Sequence, residues 1–250
     1  MRIRVGHLYP EYLNIYADRG NIAVLSRRAF LRGHELDVRA IGLGDELDPG
    51  AYDLLYVGGG QDREQALVAP DLAAKSDAVR AAAERGVAML AVCGGYQLLG
   101  RGYRGRDGST MPGAALFPHE TIAGEVRMIG DVLLECELDA GARRQLAGFE
   151  NHAGRTLLDA GAEPLGRVVY GFGNDGASGA EGCRFGNAIG TYLHGPLLPR
   201  NPWLADWLIA HALTHAGAGG PELLAPLEDE LEQEAFHVAA ERARKRGGRR

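Results

Sequence analysis

No apolar run in this chain approaches the roughly 20 residues needed to cross a bilayer. The N-terminus, MRIRVGHLYPEYL, has neither the long apolar stretch nor the small-residue cleavage site of a secretory signal. A cytoplasmic location is the expectation. Cysteine is scarce: Cys93, Cys136 and Cys183 are the whole complement of 250 residues. They are too few and too scattered for a disulfide framework or a zinc site, and no metal is expected. No glycine loop is followed by Gly-Lys-Ser/Thr, which excludes a phosphate-binding P-loop. Positive charge is not in excess either. A net charge of -6 gives no reason to expect nucleic acid or an anionic membrane as partner. No internal repeat is visible.

What is present is a globular composition, 46% apolar and 24% charged, long enough to bury a sizeable core. The first hundred residues alternate strand-like and helix-like patterns. Segments 2–8, 35–41, 53–60 and 87–92 read as strands. Residues 20–33 read as an amphipathic helix closed by Gly33, and 63–85 as a helix or two broken by Pro70. Apolar strands alternating with helices predict an α/β fold with a mostly parallel central sheet covered on both faces. Beyond residue 100, segments 113–136, 167–174 and 182–195 read as short strands punctuated by glycine, an antiparallel elaboration. A helix follows over 201–217, with Asn201 as N-cap, Pro202 at its first position and Gly217 as stop. These elements define one domain over 1–217. The remainder, 218–250, is a charged tail, helical or disordered: a Gly/Pro linker, an acidic run (228–234) and six basic residues in the last nine.

The segment MLAVCGGYQLLG (89–100) sets a thiol between a buried strand and a helix start. Small residues around a nucleophile permit the sharp strand-to-helix turn of a nucleophile elbow, and a sulfur at a helix N-terminus is favoured as thiolate. Gly94 would offer its N–H to a developing oxyanion. VGGGQ (57–61) ends another predicted parallel strand at the same sheet edge, and its N–H groups would supply the other half of an oxyanion hole. A thiol nucleophile needs a base. Of eight histidines, His152 in ENHAGRT and His194 in TYLHGP remain, each within two residues of a glycine at the end of a strand-like segment.

Taken together, VCGGYQ around Cys93, the glycines at 58–60 and the late YLHGP resemble the triad-type glutamine amidotransferases, in the branch found in cobyric acid synthase. HLYPEYLNIYADRGN (7–21), RRAFLRG (27–33), VGGGQDREQ (57–65), GFENHAGRT (148–156) and GNAIGTYLHGPLLPRNP (186–202) look, more narrowly, like the glutamine amidotransferase subunits of lipid II isoglutaminyl synthases. The likeness spans roughly residues 3 to 215 and leaves the tail outside. It implies a flavodoxin-like sheet and a glutaminase in which Cys93 is the nucleophile and His194 the base. Gly59 and Gly94 would be the oxyanion donors, Arg127 the ligand of the substrate α-carboxylate, and Gln97 a substrate contact or brace.

It further implies L-glutamine as substrate and a heterodimer with a Mur-ligase-like subunit of the MurT type. That partner would carry ATP and Mg, with no cofactor in this chain, and would amidate the D-glutamate α-carboxylate of lipid II. Two positions depart from the family pattern. Ala91 stands where the elbow usually has glycine, and Pro196 stands where the acid of His-x-Glu belongs. The third triad member would come from the partner, or from Asp18 or Glu150 in cis. The alternatives are a glutaminase for a corrinoid-type amidase, a non-catalytic binding subunit of the same fold, and a peptidase-type cysteine hydrolase.

Overall fold

The computed structural model describes residues 1–15, 19–218 and 224–246. Asp18 lies outside the described residues. The strands are β1 (Arg2–Leu8), β2 (Glu35–Ile41), β3 (Leu54–Val57), β4 (Ala88–Val92), β5 (Gly102–Arg104), β6 (Thr110–Pro112), β7 (His119–Glu137), β8 (Arg143–Leu158), β9 (Gly166–Tyr170), β10 (Ala180–Glu181), β11 (Cys183–Phe185) and β12 (Ala188–Thr191). The helices are α1 (Arg19–Phe30), α2 (Asp62–Ala74), α3 (Ser76–Glu84), α4 (Gly94–Leu99), α5 (Pro202–His215) and α6 (Glu230–Arg246).

The first sheet runs β11-β12-β4-β3-β1-β2, parallel throughout except at its β11 edge. Every residue of β3 (LLYV) and β4 (AMLAV) is buried, as a parallel strand covered on both faces requires. The chain leaves β1 for β2 on one side and returns to β3 on the other. Right-handed crossovers then put α1 and the α2–α3 pair on opposite faces. The reversal between β1 and β3 is a topological switch point, and the crevice at the C-terminal ends of these strands is where such sheets bind ligands.

The second sheet runs β10-β9-β7-β5-β6, with β8 paired to β7. Here the expectation of short strands is corrected. β7 has 19 residues and β8 has 16, and they form one long antiparallel ribbon. The glycines that read as punctuation are places of close approach instead. A Cβ on Gly148 would lie 2.7 Å from Leu193, and one on Gly154 would lie 2.4 Å from Gln97 Nε2.

Two local expectations change as well. Pro70 sits inside α2, on its exposed side, and the break between α2 and α3 falls at Lys75. Asn201 does precede α5, but its side chain does not cap it. Instead Nδ2 donates to the Ala147 and Leu197 carbonyls and Oδ1 accepts the Ala147 N–H, which staples the α5 start to β8. The tail contributes α6, whose Ala239, Ala240 and Ala243 pack on Leu133 of β7 and Ala147 of β8. Buried Arg28 of α1 ties the region together by pairing with Asp206 of α5 and Asp229 before α6.

Candidate active site

Cys93 follows β4 with φ 47° and ψ -102°, a conformation non-glycine residues rarely hold. Such strain costs about 1–3 kcal/mol and persists only where neighbours enforce it. Here the Cys93 N–H donates to the Thr191 carbonyl at 2.7 Å, and the Cys93 carbonyl accepts the Gln97 N–H at 2.9 Å. The two glycines after the thiol answer to the loop that ends β3. A Cβ on Gly94 would stand 2.8 Å from the Gly60 nitrogen, and one on Gly95 would stand 2.7 Å from the Val57 oxygen. Gly95 N–H donates to the Gly58 carbonyl at 3.1 Å. The elbow and the glycine loop touch backbone to backbone, which only glycine permits.

The thiol is 5% exposed and opens on a cavity of about 610 Å³. Gly60, Gln65, Gln97, His152 and Gly154 line it near Cys93, and Asp62, Tyr103, Arg127 and Asn151 line it as well. Cys93, Gln97 and Arg127 are thus brought together as the sequence suggested. Gly59 and Gly94 sit in the loop and elbow behind this wall. The Gly59 carbonyl accepts the Ile15 N–H at 3.1 Å, while Gly60 is the loop residue that lines the cavity.

Arg127 owes its place to a bulge. Ala123 pairs with Gly154 and Met128 with His152, so residues 124–127 of β7 stand opposite Ala153 alone. Extra residues bend a strand and re-aim its side chains. The Arg127 guanidinium is then held from β8: Nε donates to Asn151 Oδ1 and Nη2 to the Asn151 carbonyl, each at 3.0 Å. Tyr103 lies close to both Asp62 and Arg127. Burial pushes its phenol up, Asp62 pushes it further, and Arg127 pulls it down.

The two candidate histidines are both buried, in different settings. His194 lies three residues past Thr191, the partner of Cys93, and its backbone pairs with Phe149 of β8. His152 lines the cavity itself. Its ring stacks on Tyr192 at 3.5 Å between centroids, Nδ1 is 2.8 Å from the Gly154 carbonyl, and Nε2 is 3.5 Å from Glu150 Oε2. Burial holds the His152 imidazole below its ordinary value, against the pull of Glu150.

Glu150 also accepts the N–H groups of Phe172 and Gly173. Its described partners are therefore His152 and the loop after β9. Pro196 packs against Gly20 at the start of α1, with a Cβ on Gly20 falling 2.7 Å from its ring. Gln97 donates to the Tyr192 hydroxyl at 3.0 Å, and Tyr192, Thr156 and Thr121 continue the buried hydrogen-bond chain. Gln97 is thereby tied to the Tyr192 chain while it also lines the cavity.

Sequence reasoning missed Gln65, Asp62, Tyr103 and Asn151. The repeated acidic and amide residues of QDREQ, placed directly after the glycine loop, were the available signal for the first two.

A strained cysteine elbow at the switch-point edge of a parallel sheet, facing a glycine loop across a cavity, defines a cysteine-dependent amidotransferase class. Solved structures share the fold. A chain of the Thermotoga maritima PurLQS structure superposes with TM-score 0.57 at 17% identity, covering 86% of this chain and 100% of that one. The Trypanosoma brucei CTPS glutaminase domain with bound acivicin gives 0.53 at 12% identity, covering 87% and 95%.

The chain belongs to the CobB/CobQ-like glutamine amidotransferase domain family, whose model matches residues 4–202. It is 38% identical over 234 residues to the GatD subunit of the glutamine-hydrolysing lipid II isoglutaminyl synthase of Streptococcus pneumoniae, covering 93% of this chain and 88% of that one. To the GatD subunit of Staphylococcus aureus it is 35% identical over 241 residues, 96% of each. The cobyric acid synthase of a Synechococcus species matches at 33% over 172 residues, which is 32% of that protein. Among the described residues no helix is long and apolar enough to cross a membrane.

Proposed function

We propose that this chain is the glutaminase subunit of a lipid II isoglutaminyl synthase, working in the cytoplasm. It would pass ammonia to a MurT-type, Mur-ligase-like partner that uses ATP and Mg to amidate the D-glutamate α-carboxylate of lipid II. The observation that carries the glutaminase reading is the Cys93 elbow opening on the cavity that also holds Arg127. The acceptor and the partner rest on the near-full-length likeness to the two GatD subunits.

Arg127, pre-oriented by Asn151, suits the substrate α-carboxylate, since a guanidinium fork matches a carboxylate. Asp62 offers the opposite charge for the α-ammonium in the same cavity. His194 takes the thiol proton as Cys93 Sγ attacks the side-chain amide carbon. The oxyanion forms against backbone N–H groups of the elbow at Gly94 and of the facing glycine loop, whose Gly60 lines the cavity, each donor contributing about 3 kcal/mol of barrier lowering. His194 gives a proton to the leaving nitrogen, which departs as ammonia and leaves a glutamyl thioester. It then takes a proton from water, which attacks the thioester and releases glutamate with the Cys93 thiol restored. Pro196 occupies the place of the acid, and the carboxylate that orients His194 comes from the partner or, in cis, from Asp18 or Glu150. A rise in glutaminase activity on adding the partner selects the first.

Treatment with the glutamine analogue 6-diazo-5-oxo-L-norleucine tests the reading. A single adduct on Cys93, blocked by glutamine, is expected. No adduct at saturating reagent, with and without partner, would favour a non-catalytic binding subunit.

A further inference from the structure

Gln65 is 2% exposed, in the first turn of α2 directly after the glycine loop. Its amide has a fixed sense. Nε2 donates to the Gly60 carbonyl at 3.1 Å, and that bond determines which end of the group is nitrogen. Oε1 is then left buried with no hydrogen-bond partner. A buried acceptor without a donor costs about as much as a lost hydrogen bond, and is retained where a ligand completes it. Gln65 lines the cavity beside Cys93 and Gly60. Its Cδ lies 3.0 Å from where a Cβ on Gly94 would stand, which sets the amide group against the Cys93 elbow.

We propose that Gln65 is a specificity-determining residue, whose Oε1 accepts a hydrogen bond from the side-chain NH2 of the substrate amide. This rests on the glutaminase reading and deepens it. The chemistry is discriminating. A carboxamide brings a donor to that oxygen, whereas the ionised side-chain carboxylate of glutamate brings only acceptors. The same contact therefore draws glutamine in and weakens the hold on the product. The acceptor also stays beside the nitrogen as it leaves as ammonia. A site built around a polar partner rejects the analogue that lacks it far better than an apolar pocket could.

The test compares two substrates in the assembled two-subunit enzyme: glutamine, and the γ-methyl ester of glutamate, which has the same α-groups and reacting carbonyl but no NH2. Wild type serves as control, and its Cys93-dependent hydrolysis of glutamine checks the underlying reading separately. In Gln65→Met, similar in length and without either polar atom, kcat/KM for glutamine is expected to fall about 10- to 100-fold, with the ester rate within about twofold of wild type. The inhibition constant of glutamate relative to the KM of glutamine should fall as well. Equal losses on both substrates would overturn the proposal, because Gln65 would then act only by holding the Gly60 loop or by binding the α-ammonium. Unchanged rates on both would overturn it too. Gln65→Glu, which keeps the size and turns the Gly60-facing end into an acceptor, should lose both substrates. A methionine variant that keeps its ester rate while losing glutamine turnover shows that the Gly60 bond, which it also lacks, is not what the reaction lost.

Discussion

Arg127 Nε and Nη2 both donate to one residue, Asn151, at 3.0 Å each, across the bulge where β7 and β8 lose register. The side chain is exposed, so without this grip its long stem would sample many rotamers. Hydrogen bonds to charged groups contribute about 1.5–3 kcal/mol. Asn151→Ala should therefore raise the KM for glutamine about tenfold with a smaller change in kcat, because it loosens Arg127 and leaves Cys93 untouched. Steady-state kinetics decides it, and a loss confined to kcat would place Asn151 in another role.

Gly95 meets β3 backbone to backbone. Gly95→Ala must push the elbow away from Val57 and Gly58, an overpacking cost of about 1–3 kcal/mol. Thermal unfolding should show a drop of several degrees, and thiol labelling of Cys93 should change with it. A stable variant with unaltered labelling would show that the contact does not shape the elbow.

Glu181 is wholly buried and accepts the Tyr192 N–H and the Thr191 hydroxyl, directly beneath the segment that leads to His194. Burial pushes its carboxyl up to about 8, against those two donors and with help from Glu150. A carboxyl raised on folding stabilises the native state below its unfolded value near 4.5, and that contribution is lost as pH rises through the folded value. Wild type should therefore lose stability relative to Glu181→Gln between about pH 5 and pH 9. Urea midpoints across that range measure the difference, and a flat difference would mean that Glu181 is ionised in the fold.

Ala240 is 1% exposed between α6 and the β7–β8 ribbon. Burying a carboxylate in this apolar contact costs its desolvation, so Ala240→Glu should destabilise by about 2 kcal/mol or detach the helix. Circular dichroism and limited proteolysis of the tail read the two outcomes. An unchanged melting temperature with α6 still protected would show that the helix is not held by this contact.

Much of the fold was legible because its signals are local. The buried runs of β3 and β4, the glycines behind Cys93 and the stop at Gly33 each state their structure within a few residues. The β7–β8 ribbon was not legible, since Gly148 and Gly154 serve neighbours distant in sequence, Leu193 and Gln97. The same holds for Asn201, a cap by position whose side chain is used across the domain by Ala147. In the site, Cys93 stood out because an elbow is a local motif. Asn151 and Gln65 did not, because a bulge register and an orphaned oxygen exist only in three dimensions.

Glutamate release from free glutamine tests the central claim most directly, measured for wild type and Cys93→Ala, each alone and with the ATP-using partner. The expected result is release that requires Cys93 and rises when the partner is added, as a site completed at the interface demands. No release under any condition, or release that survives Cys93→Ala, would contradict it.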